Sequence, residues 1–77
     1  MTKAEKIKHI EDYKACFRNV CTDFIKGDYE RASYIHVHIK RMCLLIEGER
    51  VTIEKKILKD YNIEWSNFAE RVILKYF

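Results

Sequence analysis

The segment Gly27-Asp28-Tyr29-Glu30-Arg31-Ala32 lies between two long runs whose apolar residues recur at helical spacing, and no other feature constrains the fold as much. Glycine admits the left-handed backbone that closes one helix, and Asp28 can cap the next by accepting from its free N–H groups. With no loop residues to spare, the two helices must return on each other as an antiparallel hairpin.

Both arms can be read in detail. Thr2-Lys3-Ala4-Glu5 has the Thr-x-x-Glu form of a capping box, so the first helix is expected from near Lys3. Ile7, Ile10, Tyr13, Phe17, Val20 and Phe24 form its apolar stripe, which ends at Gly27. The second helix is expected over residues 29–47, with Ala32, Ile35, Ile39, Met42 and Ile46 as its stripe and Gly48 as its stop. Steps of three and four in both arms suit a shallow, coiled-coil-like crossing.

In the remaining third, Val51, Ile53, Ile57, Leu58 and Tyr61 predict a short helix over residues 52–60. Asn62 tolerates a left-handed backbone and marks a tight turn. A fourth helix then carries Trp65, Phe68, Ala69, Val72, Ile73, Tyr76 and Phe77 on one wide face. A competing reading makes residues 44–53 a β-hairpin around Glu47-Gly48-Glu49-Arg50, although Lys40-Arg41-Met42-Cys43 carries the helical pattern towards it. The fold class is therefore all-α: a long antiparallel helical hairpin packed against a shorter C-terminal helix pair, in a single domain over residues 1–77.

Seventy-seven residues of which 48% are apolar must either pack an efficient bundle or share a core with a partner, so a homodimer is expected. The 35% of charged residues leave no apolar run long enough for a membrane span. Met1-Thr2-Lys3-Ala4-Glu5-Lys6 does not lead into the apolar core of a secretion signal, and three cysteines read as free thiols, so cytoplasmic residence is expected. The net charge of +3 is mild and spread along the chain, with no basic arm of the kind that signals nucleic acid.

Residues that could carry chemistry are few. His36 and His38, two apart, point about 160° away from each other on a helix and cannot grip one metal. The hairpin register sets Cys16 near His38 and Cys21 near His36, two ligands each, short of the three or four that zinc requires. These residues are expected to flank the helix seam, with no metal and no cofactor. Cys16 beside His38 is the one nucleophile–base pair the register permits, and no orienting group accompanies it. No enzymatic activity is expected.

Two short resemblances remain. The segment 57–68, Ile-Leu-Lys-Asp-Tyr-Asn-Ile-Glu-Trp-Ser-Asn-Phe, loosely resembles a helix-turn-helix unit, with Asn62 at the turn and Ile63 and Phe68 in buried places. That resemblance implies a small DNA-binding regulator using residues 52–77, with Arg50, Lys55, Lys56, Lys59, Ser66 and Asn67 as contacts. It departs from the pattern at Leu58 and Arg71, and Glu64 and Glu70 would repel phosphates. Phe24-Ile25-Lys26-Gly27-Asp28-Tyr29-Glu30-Arg31-Ala32 looks like the inter-helix turn of a tetratricopeptide repeat, but no second copy follows, and the likeness is one of turn physics.

Tyr29, Tyr34, Val37, Leu44 and Leu45 lie off the stripe of the second helix, and the chain ends on aromatic residues. The main expectation is accordingly a non-enzymatic protein-interaction module, a small regulator or inhibitor. It would dock an apolar-aromatic surface made of Tyr29, Tyr34, Val37, Leu45, Trp65, Tyr76 and Phe77 on another protein, or on a second copy of itself.

Overall fold

The hairpin forms because each turn residue does what its chemistry allows. In the computed structural model, which describes residues 2–74, α1 spans Lys3–Ile25 and α2 spans Tyr29–Met42. Thr2 caps α1, its hydroxyl accepting from the Glu5 amide at 3.2 Å. Gly27 takes φ +84°, the left-handed value, and Asp28 caps α2 by accepting from the Arg31 amide at 3.1 Å.

The second half is all-helical, but its boundaries differ from those read in the sequence. α2 ends at Met42, and α3 runs Glu47–Asp60, so the stop expected at Gly48 is instead part of the first turn of α3. Cys43 and Ile46 are extended, and no strand occurs among the described residues. Charge explains the break. Lys40 and Arg41 sit in the last turn of α2, and Glu47 and Glu49 in the first turn of α3, each sign at the helix end whose dipole favours it. A continuous helix would also have carried Met42, Leu44, Leu45 and Ile46 around several of its sides.

After α3 the chain turns at Asn62, in the left-handed region at φ 58°. A four-residue α4, Trp65–Phe68, then widens into π-helix over Ala69–Leu74. The expected regular α-helix does not continue, and no glycine or proline in the segment signals the change.

α1 is the hub. It packs against α2 along the hairpin and against α3, while the π-helical segment lies on α2. The core is drawn from every element: Tyr13, Phe17, Val20, Cys21 and Phe24 from α1, Ala32 and Ile39 from α2, Ile57 and Leu58 from α3, then Ile63, Phe68 and Val72. The Phe68 ring meets Phe17 at 5.6 Å and Phe24 at 5.8 Å, pinning the chain's last helical stretch to α1. Ser33 adds a buried hydrogen bond, its hydroxyl donating to the Val72 carbonyl at 3.1 Å. Three residues expected on the buried stripes, Ile7, Met42 and Ile46, are exposed instead. Met42 and Ile46 lost their burial when α2 stopped short. Ile7 lies on the side of α1 that no element fully covers.

The two glycines are predicted to respond oppositely to alanine, since a Cβ at either meets open space and only backbone geometry differs. Gly27→Ala, at positive φ, should cost about 1 kcal/mol, and Gly48→Ala, in a helical turn, should gain up to about 1 kcal/mol. Urea unfolding followed by circular dichroism reads both; equal effects would contradict the assignment.

Candidate functional site

The residues with the most chemistry lie inside the molecule. Glu54 on α3 is fully buried, and its carboxylate is met by donors from three helices. His36 of α2 places Nε2 at 2.7 Å from Oε2, and the Tyr13 hydroxyl of α1 donates to the same oxygen. Arg50, one turn earlier on α3, spans both carboxylate oxygens from one nitrogen, at 3.0 and 2.9 Å. A carboxylate taken out of water at several kcal/mol is stable only when so surrounded.

The His36 ring is itself packed edge-on by Phe17 at 5.8 Å and Phe68 at 5.4 Å. Facing a carboxylate, its Nε2 carries the proton and donates. Its Nδ1 is a buried side-chain nitrogen with no hydrogen-bond partner. His36 therefore does not flank the helix seam as the register suggested; it is 1% exposed. Its position leaves it unavailable as an external ligand. Among the described residues no group of three or more His, Cys, Asp or Glu side chains is arranged to hold a metal ion.

The electrostatics follow from that enclosure. Burial, the strongest influence on Glu54, pushes its pKa up. The hydrogen bonds from His36 and Tyr13 and the charge on Arg50 together outweigh it, and the carboxyl ends below its ordinary value of 4.5. Burial, and then the charge on Glu54, drives the Tyr13 phenol well above its ordinary 10.0, so it stays a donor. The same two causes push the Cys21 thiol up to about 12.

The outer surface is of a different kind. In the connection between α2 and α3, Cys43 and Leu45 are half-buried while Leu44 and Ile46 are 60% and 69% exposed, and Met42 at the end of α2 is 69% exposed. Two grooves flank the connection on adjacent faces of α1. The first, of ≈ 320 Å³, lies between α1 and the end of α2 and is lined by His9, Tyr13, Cys16, His38, Met42 and Leu44 among others. Cys16 of α1 and His38 of α2 both line it. The second groove, of ≈ 610 Å³, lies between α1 and α3. Neither His36 nor Glu54 lines either groove.

The residues singled out in the sequence are dispersed. Tyr29 leans on Phe24 at 5.1 Å with the Arg71 guanidinium over its ring, and Trp65 packs on Phe68 with the Lys55 ammonium at 5.2 Å. Both rings are partly buried against the core. Val37 and Leu45 are half-buried, Tyr34 is exposed, and Tyr76 and Phe77 lie outside the described residues. Of the positions considered for nucleic acid, Arg50 is held by Glu54 and Asn67 accepts from Arg71 at 2.8 Å. Lys56 borders the second groove, and Lys59 and Ser66 are exposed.

Glu54 was missed in the sequence, although a signal exists. It lies three and four residues before Ile57 and Leu58, on the buried face of α3, with Arg50 a turn behind. No protein-family model matches this chain, and neither a curated protein nor a solved structure matches it.

Because the folded Glu54 has the lower pKa, its contribution to stability is complete above 4.5 and is lost as pH falls through the folded value. Glu54→Gln should cost about 3 kcal/mol at neutral pH and flatten the acid limb of the stability profile, read by urea unfolding across pH. A variant as stable and as acid-sensitive as the parent would refute the role given to the carboxylate. The thiols give a second check. An aromatic disulfide reagent at neutral pH should label exposed Cys16 well before Cys21, which should react only on unfolding, as resolved by peptide mass spectrometry.

Proposed function

We propose that this protein is a non-enzymatic protein-interaction module, a small regulator or inhibitor that acts by covering or bridging a partner's surface. One observation carries the reading: Met42 at the end of α2, and Leu44 and Ile46 in the connection that follows, are all exposed, with an apolar-lined groove on either side. Scattered exposed leucines are ordinary on a protein surface, whereas a contiguous strip of long aliphatic side chains is the usual mark of a contact surface. Covering each such side chain is worth about 1.5–3 kcal/mol, so a partner that buries all three gains substantially.

The interior supports the same division of labour. The polar cluster at Glu54 is enclosed and serves to hold α1, α2 and α3 together, which leaves the outer face for contact. No described helix is long and apolar enough to cross a membrane. A second copy of the chain is the simplest partner, since a two-fold contact between strips buries the same side chains twice.

Sedimentation velocity across a concentration series tests this. The parent should pass from monomer to dimer as concentration rises. A variant carrying Met42→Ser, Leu44→Ser and Ile46→Ser should stay monomeric with unchanged helix content. A parent that remains monomeric at about 1 mM, the millimolar limit of weak association, would remove the support for self-association through this strip.

A further inference from the structure

The groove between α1 and α3 carries a more specific message than the strip beside it. Its aliphatic lining is of one residue type, Ile10, Ile53 and Ile57 with exposed Ile46 beside them. Ile7, three residues before Ile10 on α1, is exposed. The rim is cationic. Lys14 and Lys56 both border the groove, and Lys56 enters no salt bridge among the described residues. Lys14 has a single partner, Glu11, at 3.7 Å. The acid on the rim, Glu49, is held by Lys6 at 3.0 Å, so its charge is offset on the spot. Lys55 and Lys59 add further positive charge on α3.

An aliphatic lining between two helices, edged by lysines, complements a helix with an apolar stripe and acids beside it. The stripe fills the space over the isoleucines, and the acids meet Lys14 and Lys56 at the rim, where they steer encounter and set orientation. A nucleic acid would use the lysines but would leave the isoleucine lining without a counterpart. Resting on the reading of this chain as an interaction module, we propose that the α1–α3 groove receives an acidic amphipathic helix of a partner protein.

The test uses two labelled synthetic peptides of about 18 residues, long enough for a helix to persist on binding. One carries leucines at helical spacing flanked by glutamates, and its sister has lysine at every glutamate position. Fluorescence anisotropy against the full chain should show the acidic peptide binding at least about tenfold more tightly than its sister, and weakening as salt is raised. The double change Lys14→Glu and Lys56→Glu, on exposed or half-exposed positions, should reverse that preference while helix content stays the same. Equal binding of both peptides would overturn the proposal. So would no binding at about 1 mM, or salt-sensitive binding of random duplex DNA with the acidic peptide ignored. If the peptide is ignored while the parent still dimerises through Met42, Leu44 and Ile46, this inference alone fails. If neither occurs, the broader reading fails with it.

Discussion

The carboxylate of Glu54 is the constraint to which the rest of the structure answers. A buried ion of this kind is tolerated only where its oxygens are all but saturated, and the donors that saturate it come from α1, α2 and α3. Sliding α1, α2 or α3 by a turn would strip at least one donor from that carboxylate. The cluster therefore adds specificity more than it adds stability.

That requirement reaches the surface. For Arg50 and Glu54 to face Tyr13 and His36, α3 must begin before Arg50, so α2 must end early. Four residues link them, with Cys43 and Ile46 extended and a bend at Leu45. Met42, Leu44 and Ile46 are exposed around that link. His36 ties the polar cluster to the aromatic one, since its ring is packed by Phe17 and Phe68 while its Nε2 serves Glu54. Tyr13 makes a second link, its hydroxyl on Glu54 and its ring stacked on Phe17 at 6.2 Å.

The division between inside and outside also bears on the functional proposal. Tyr13, His36, Glu54 and Arg50 are spent on one another. What the molecule presents to solvent is an aliphatic strip, two grooves and an uneven distribution of lysines. The proposed contact role rests on that surface, through the area it would cover and the charge pattern it would match. Tyr29 and Trp65, attractive as aromatic anchors in the sequence, are held against the core under Arg71 and Lys55.

The sequence by itself determined the helical class, the hairpin, and its caps at Thr2 and Asp28. It also determined the two left-handed turns at Gly27 and Asn62. These are local matters of backbone freedom, capping chemistry and apolar spacing, each decided within a few residues. The α2–α3 boundary was half legible, written in Lys40-Arg41 and Glu47-Gly48-Glu49, whose charges suit helix ends that a run of apolar residues between them conceals. Only the tertiary structure decided that Glu54 and His36 meet, that Ile7, Met42 and Ile46 face outward, and that the last helical stretch widens after Phe68. Those outcomes depend on which distant side chain completes a hydrogen bond or fills a gap in the core. Partners 18 and 41 residues apart leave no periodicity behind.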